Sequence, residues 1–156
     1  MTLKKLTDRF PESILETHSH RGDDTAIVRK EDILKICLFL RDDETLLFNF
    51  MMDLTAVDYI GREPRFEVVY HLYSLRHNQR VRIKAGVPES DCAIDSVVSI
   101  WPGANWFERE AFDMYGITFK GHPELRRILL YEGFEGHPLR KDYPIKKRQP
   151  LIGPIN

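Results

Sequence analysis

The sequence has few cysteines, and they are not clustered. Cys37 and Cys92 are the two cysteines among 156 residues, whereas zinc and iron–sulfur sites need thiolates grouped in patterns such as C-x-x-C. Two widely separated cysteines likewise do not predict a disulfide framework. Cys37 lies in an apolar helical run, where a free cysteine behaves as a small buried hydrophobe. The sequence therefore predicts a protein of a reducing compartment without a thiolate metal site.

The chain also lacks a large net charge and a long apolar run. Its 23 basic and 24 acidic side chains give a formal net charge of -1, whereas a general nucleic-acid binder is basic overall. No stretch approaches the roughly 20 apolar residues of a membrane-spanning helix. The N-terminal MTLKKLTDRF has no apolar region of the kind found in secretory signals. We therefore expect one globular domain that associates with membranes only through a partner.

Sequence motifs for cofactor binding and catalysis are missing as well. There is no G-x-G-x-x-G and no G-x-x-x-x-G-K-[ST] to hold nucleotide phosphates, and no G-x-S-x-G nucleophile. His18 and His20 would share one face of a strand, but the sequence offers no third metal ligand, so an ordinary surface pair is favoured. We therefore predict no catalytic, cofactor-binding or metal-binding residue in this chain.

Three acids lie close together in one predicted helix. Glu108, Glu110 and Asp113 would act as an acid/base pair only with a cleft and separated pKa values, which the sequence does not indicate. Local ion pairing is favoured, because Arg109 precedes Asp113 by four residues on a helix. Anchoring at an interface ranks second and catalysis third.

The hydrophobic pattern predicts regular structure in the first 120 residues. Apolar and polar side chains alternate in a hairpin, with Arg80, Arg82 and Lys84 on a solvated face. Asn105 is predicted to cap the last helix, with Glu108 completing a capping box, and Gly116 to end it. The predicted helices span 2–10, 30–41, 93–100 and 106–115, and the predicted strands span 13–18, 25–29, 54–60, 66–73 and 80–85.

The composition changes after residue 120. Five of the nine prolines follow it, and from Arg126 to Arg148 there are seven Lys or Arg against three acids. We therefore divide the chain into a core domain, residues 1–120, and an extended arm, residues 121–156, which docks on a partner protein. Regular structure in the arm is predicted for residues 128–131 only. Without its partner, the arm is expected to be mobile.

Gly-His-Pro occurs twice in the arm, at 121–123 and 136–138, and cationic residues follow each copy. A rigid turn before a guanidinium group suits recognition of carboxylates on a neighbouring surface. The same cations could contact phosphates, but the aromatic residues are not interleaved as a stacking platform. The candidate partner-interface residues are His122, Arg126, Arg127, His137, Arg140, Lys141, Asp142 and Tyr143.

A dense sequence signature spans Glu108 to Pro144. It contains E-R-E-x-x-D-M-Y-G-I-x-F-x-G-H-P-x-L-R-R-I-L and G-F-x-G-H-P-L-R-K-D-Y-P. This stretch closely resembles the signature of the thirty-kilodalton subunit (the bacterial C-type subunit) of proton-translocating NADH:quinone oxidoreductase, respiratory complex I. The structural signature residues are Glu108, Arg109, Glu110, Asp113 and Gly116.

The resemblance implies an α+β fold with a mixed, largely antiparallel sheet, packed helices and an extended C-terminal arm that embraces the D-type, forty-nine-kilodalton subunit. It implies a non-catalytic assembly subunit of the hydrophilic arm of the complex, peripheral on the cytoplasmic side of the inner (plasma) membrane. FMN and iron–sulfur clusters on partner subunits would carry electrons from NADH to quinone. Compared with longer members, the chain stops soon after the signature at Asn156, and we expect a short form unfused to the D-type partner.

Two alternatives stay open. One is the equivalent subunit of a related membrane-bound hydrogenase or ferredoxin-linked quinone reductase. The other belongs to a different class, an independent module that binds a partner such as RNA through the basic arm. The salt dependence of binding distinguishes the second alternative from the first, because phosphate-driven binding weakens steeply as the salt concentration rises.

Overall fold

The computed structural model describes residues 1–152. Five strands form one sheet in the order β1-β2-β5-β4-β3, in which the β2–β5 pair is parallel and the other pairs are antiparallel. The expected α+β fold with a mixed, largely antiparallel sheet is confirmed. The last four residues of the proposed arm lie outside the described residues. The helices are α1 (Thr2–Arg9), α2 (Ile33–Asp42) and α3 (Ala104–Tyr115), and the strands are β1 (Ile14–His20), β2 (Asp23–Val28), β3 (Phe50–Asp58), β4 (Phe66–Ser74), β5 (Gln79–Val87), β6 (Ala93–Asp95) and β7 (Thr118–Lys120).

The hairpin of β4 and β5 forms the centre of the sheet. Val81, Ile83 and Ala85 are buried on one face of β5, because side chains in a strand alternate between its two faces. Arg82 and Lys84 point to the opposite face, and the Lys84 ammonium lies 2.9 Å from Glu67 on β4. The predicted hairpin is confirmed.

Helix α2 buries one stripe of side chains in the hydrophobic core that it shares with the sheet. Ile33, Ile36, Cys37 and Leu40 are fully buried, at the spacing that places residues on one face of a helix. The predicted burial of Cys37 is therefore confirmed. Burial raises the pKa of the Cys37 thiol, so this cysteine stays protonated and unreactive.

The segment before α3 differs from the prediction of a helix over 93–100, which is wrong. Residues 93–95 form β6, which pairs in parallel with β7, and the chain then turns. The Glu108 carboxylate accepts hydrogen bonds from the Ser96 hydroxyl and the Val97 N–H, which hold this turn. The predicted capping of α3 by Asn105 is also wrong, because Gly103 precedes the helix without a side-chain cap.

The C-terminal arm runs beside α3 and past the ends of β3 and β4. The predicted regular structure at 128–131 is wrong, because this segment has no strand or helix and its N–H groups point to a side chain of α3. Within residues 1–152, no helix is both long enough and apolar enough to span a bilayer.

Candidate functional site

Two side chains of α3 hold the backbone of the arm. Arg109 donates to the carbonyl groups of Arg126 and Arg127 at 3.1 and 3.0 Å. Asp113, one helical turn later, accepts from the N–H groups of residues 128–130 at 2.9–3.1 Å. The predicted local pair of Arg109 with Asp113 is therefore wrong, because each residue binds the arm.

Asp113 is fully buried, yet several protein groups donate hydrogen bonds to its carboxylate. Besides the three N–H donors, Arg127 Nη1 lies 2.7 Å from Asp113 Oδ1. Burial alone would raise the pKa of Asp113, but the backbone N–H groups and the Arg127 guanidinium lower it below its usual range. The carboxylate is therefore charged at neutral pH and anchors the arm.

The arm also caps the C-terminal end of α3. The last carbonyls of a helix have no donor within the helix, and the partial negative charge there favours cations. Burial lowers the pKa of His137, so its ring is neutral at neutral pH. Because a carbonyl oxygen can only accept, Nδ1 of this ring is the donor. The donor–acceptor pairs are His137 Nδ1 with the Asp113 carbonyl (2.9 Å), the Leu139 N–H with the Met114 carbonyl (3.1 Å) and Arg140 Nε with the Tyr115 carbonyl (2.6 Å).

Gly116 makes this close approach of arm and helix possible. It ends α3 with a positive φ of 76°, as predicted for a glycine after the last helical turn. A Cβ at this position would lie 2.6 Å from the His137 ring and 2.8 Å from the Arg140 guanidinium. The glycine therefore serves both the left-handed backbone and the packing of the second Gly-His-Pro segment.

A charged cluster around Arg65 fixes the arm at a second point. The Arg65 guanidinium makes two hydrogen bonds to Asp58 at 2.9 Å each, and it also contacts Glu89 at 2.7 Å and Asp142 at 2.9–3.0 Å. The Lys141 N–H donates to the same Asp58 carboxylate at 2.7 Å. Hydrogen bonds from Arg65 lower the pKa of Asp58 and of Asp142, so these two carboxylates are ionised at neutral pH.

The first Gly-His-Pro segment contacts the start of α3. His122 accepts from the Glu124 N–H at 3.0 Å through Nδ1 and binds the Asn105 carbonyl at 3.1 Å through Nε2. The side chain of Arg126 is mostly exposed and pairs with Glu124 at 3.1 Å. Such a surface pair contributes little to stability.

Glu108 is the second buried acid of α3, and it does not contact the arm. Its two oxygens accept from the Ser96 hydroxyl at 2.6 Å and from the Val97 N–H at 2.7 Å. Burial raises the pKa of Glu108 to about 7, although these two hydrogen bonds oppose the shift. Glu110, two residues later, is exposed. The signature acids therefore have three different environments.

The predicted partner-interface residues fall into two groups in the structure. Six have side chains that bind or pack on distant parts of this chain, whereas Arg126 pairs at the surface with the neighbouring Glu124 and Lys141 is exposed. Their assignment to a partner interface stays a prediction. Sequence reasoning missed Arg65 and Asp58, because a buried ion pair between a strand end and a loop has no local sequence pattern. The six residues with distant partners in this chain are His122, Arg127, His137, Arg140, Asp142 and Tyr143.

Metal ligation is not supported by the part of the chain that the structure describes. Within residues 1–152, no group of three or more His, Cys, Asp or Glu side chains is arranged to hold a metal ion. His18 and His20 lie on the edge strand β1. The site built from α3 and the arm consists of ion pairs and hydrogen bonds within the chain.

Arg140→Ala is expected to lower the free energy of unfolding of the free chain by about 2 kcal/mol. The substitution removes a charged hydrogen bond to the Tyr115 carbonyl and the packing of the guanidinium over Phe66, 5.0 Å from the ring centre. Urea unfolding followed by tryptophan fluorescence measures the change. Arg126→Ala is the control, with a change below about 0.5 kcal/mol. Equal stability of Arg140→Ala and the wild type would contradict the intramolecular role.

Two solved structures are similar to this chain. A trypsin-resistant fragment of Nqo5 has a TM-score of 0.69 and 29% sequence identity, and the likeness covers 80% of this chain and 100% of the fragment. A chain of the membrane-bound sulfane sulfur reductase, an archaeal respiratory membrane complex, has a TM-score of 0.75 and 27% identity over 93% of this chain and 85% of that chain. The fold described above is therefore shared with both proteins.

Curated relatives are similar over nearly the whole chain. The C-type subunit of the NADH-quinone oxidoreductase of Geotalea uraniireducens (strain Rf4) is 51% identical over 154 residues, which are 97% of this chain and 93% of the relative. The corresponding protein of Roseiflexus sp. (strain RS-1) is 52% identical over 143 residues, which are 92% of this chain and 82% of the relative. The family model for the respiratory-chain NADH dehydrogenase, 30 Kd subunit, matches residues 26–149. This chain therefore belongs to the family of the 30 kDa subunit of respiratory-chain NADH dehydrogenase.

Proposed function

We propose that this chain is a non-catalytic assembly subunit of the hydrophilic arm of a proton-translocating NADH:quinone oxidoreductase. In this proposal FMN and iron–sulfur clusters on other subunits carry electrons from NADH to quinone, and the chain helps to build the quinone-reducing module. It lies on the cytoplasmic side of the inner (plasma) membrane and contacts the membrane only through the complex. Family membership and the high identity to C-type subunits of NADH-quinone oxidoreductases support this function.

One structural observation carries the non-catalytic part of the proposal. Three of the four charged signature residues are engaged in hydrogen bonds within the chain: Arg109 and Asp113 with the arm, and Glu108 with residues 96 and 97. A catalytic acid or base needs access to a substrate, and Glu108 and Asp113 are fully buried. The signature is therefore best explained as the means by which the domain positions the arm.

We propose the D-type, forty-nine-kilodalton subunit as the main partner of the arm. The arm contributes an extended surface along α3 that is fixed at residues 126–130 and 137–142. A surface held in one conformation before binding loses less entropy on association. Arg126 and Lys141 have exposed side chains, and they remain the predicted interface residues that can meet a carboxylate of this partner.

Affinity purification of the tagged full chain tests the proposed function. The chain replaces the native subunit in its host, membranes are solubilised in mild detergent, and co-purifying proteins are identified by mass spectrometry. Recovery of the forty-nine-kilodalton partner together with flavin and iron–sulfur absorbance is expected, whereas the chain purified alone should show aromatic absorbance only. Recovery of no redox subunits, or a stoichiometric visible chromophore on the isolated chain, would contradict the proposal.

A second candidate function has one observation in its favour. The likeness to the membrane-bound sulfane sulfur reductase, at a TM-score of 0.75, indicates that the fold also occurs in a respiratory membrane complex that is not an NADH-quinone oxidoreductase. The chain would then occupy the same position in a related hydrogenase or ferredoxin-linked reductase. Oxidation of NADH by the purified complex, in the presence of quinone, favours the first function, whereas activity with reduced ferredoxin alone favours the second.

Limited trypsin digestion of the free chain is expected to cut first after Lys146, Lys147 or Arg148. These side chains are exposed, and proteolysis concentrates at exposed loop tips. Cleavage after Arg127 and Arg140 should be slower, because both guanidinium groups are bound to the domain. Intact-mass measurement of timed samples identifies the order of cleavage. A first cut after Arg127 or Arg140 would contradict the structure of the arm and support the mobile arm predicted from composition.

A further inference from the structure

Residues 143–149 form a closed loop near the end of the arm, which we name the docking loop. The Gln149 side chain closes it: Nε2 donates to the Tyr143 hydroxyl at 3.0 Å and to the Glu135 carbonyl at 2.8 Å. Gln149 Oε1 accepts from the Glu135 N–H at 3.0 Å. One amide side chain therefore joins both ends of the loop to the preceding part of the arm.

The tip of the docking loop presents an aliphatic side chain to solvent. The Lys147 N–H donates to the Pro144 carbonyl at 2.9 Å, which makes residues 144–147 a turn with Ile145 and Lys146 at its tip. Ile145 is 100% exposed, although isoleucine is among the residues most often buried in proteins. A fixed turn with an isoleucine at its tip is the geometry of an anchor that enters a pocket on another molecule.

The docking loop is also uniformly basic. Its sequence Y-P-I-K-K-R-Q contains no acid, and Lys146, Lys147 and Arg148 are exposed. Lys147 approaches Glu135 only at 3.7 Å, on an open surface. Three adjacent cations around one aliphatic tip complement an apolar socket with an acidic rim.

The base of the docking loop is fixed to the domain. The Tyr143 ring stacks on Phe134 with an angle of 20° between the rings, and a Cβ on Gly136 would lie 3.0 Å from the Tyr143 ring. The preceding residue, Asp142, is bound by Arg65. The position of Ile145 relative to the sheet is therefore set before any partner arrives, which reduces the entropy lost on binding.

We infer that the docking loop inserts Ile145 into an acidic-rimmed apolar socket on a neighbouring protein subunit of the complex. This inference rests on the proposed function, and it assigns the contact to residues outside the signature. Arg127, His137 and Arg140 hold the arm in place, whereas Ile145 and the loop cations make the contact. Gln149 is a positioning residue, because it acts on the partner through the shape of the loop.

The test compares variants of the tagged full chain in the affinity purification described above. Ile145→Glu should lower recovery of the other oxidoreductase subunits at least tenfold. Leu75→Glu is the matched control, because Leu75 is 64% exposed after the end of β4 opposite Phe66, which contacts the arm, and it should leave recovery unchanged. Gln149→Ala should lower recovery less than Ile145→Glu, without shifting the thermal midpoint of the free chain. Lys146→Glu should lower recovery at low salt and make retention less dependent on salt, because it removes one attraction that salt screens.

Three outcomes distinguish the inference from the proposed function. If the wild type recovers the complex and Ile145→Glu recovers it equally, the inference is wrong and the proposed function stands. If the wild type recovers no oxidoreductase subunit, the proposed function fails, and the inference fails with it. The purified chain is also sedimented with vesicles of phosphatidylcholine and phosphatidylglycerol; binding that Ile145→Glu abolishes would identify an anionic lipid surface instead and overturn the inference.

Discussion

Replacing Asp113 by asparagine is expected to lower the free energy of unfolding by about 3 kcal/mol, because a buried ion pair loses one partner. The carboxylate accepts from three backbone N–H groups and from Arg127. An asparagine offers one acceptor oxygen, and its NH₂ group would face donors. Urea unfolding at pH 7, followed by fluorescence of Trp101 and Trp106, measures the loss.

The pH dependence of this loss provides an internal check. The pKa of Asp113 lies below its ordinary value of 3.8 in the folded chain, so its stabilising contribution is present above that value. The contribution is lost as the pH falls through the folded pKa. The difference between wild type and Asp113→Asn should therefore be constant from pH 5 to 8 and shrink in acid.

Glu110→Gln is the matched control for Asp113→Asn. Glu110 is exposed on the same helix, so losing its charge should change stability by less than about 0.5 kcal/mol. Similar effects of the two substitutions would show that helix charge, rather than the junction with the arm, determines the loss. Asp113→Asn should also expose Arg127 to trypsin, which separates release of the arm from unfolding of the domain.

The β4–β5 hairpin and the end of α3 could be predicted because their causes are local. Alternation at Val81, Ile83 and Ala85 indicates a half-buried strand from neighbouring residues alone. Gly116 follows the last apolar residue of the helical pattern, and this position is typical of a left-handed glycine. The structure confirms both.

The position of the arm could not be predicted, because the groups that hold it are far apart in the sequence. Several of them are backbone N–H groups, which no residue type marks. Asp113 binds N–H groups 15 to 17 residues later in the chain, and any amino acid except proline supplies such a donor. Arg65 contacts Asp142 across 77 residues. The sequence pattern therefore favours partner contacts for the cations of the arm, although the domain itself supplies a carboxylate for Arg127 and a carbonyl oxygen for Arg140.

The false helix at 93–100 has a cause of the same kind. Its apolar residues fit a helical period, but Ser96 and Val97 donate to Glu108, which is 11 to 12 residues away. A buried acceptor on α3 thus determines the backbone of the preceding segment. Tertiary hydrogen bonds outweigh local propensity here, because an unpaired buried carboxylate costs more free energy than the small differences among helix propensities.

Glu108 is expected to make the stability of the chain fall as the pH rises from about 4.5 to about 7. Its folded pKa of about 7 lies above the ordinary value of 4.5, so the folded chain binds more protons than the unfolded chain in this range. Stability therefore decreases with rising pH until both states are deprotonated. A pKa difference of this size corresponds to about 3 kcal/mol.

Glu108→Gln should remove this contribution. A neutral amide of the same length can accept from Val97 and donate to the Ser96 hydroxyl, so the turn at residues 96–98 keeps its partners. We expect the variant and the wild type to be equally stable near pH 4.5, and the variant to be more stable by about 3 kcal/mol at pH 8. Urea unfolding at half-unit pH intervals measures the difference between the two proteins.

The difference between the two proteins, rather than either curve alone, isolates Glu108, because other groups titrate equally in both. Glu110→Gln again serves as the exposed control and should differ from the wild type by the same small amount at every pH. A difference between Glu108→Gln and the wild type that does not change from pH 4.5 to 8 would show that the carboxyl does not titrate in this range. The buried acid would then be held as an anion by its two donors, and the hydrogen bonds from Ser96 and Val97 would outweigh the cost of its burial.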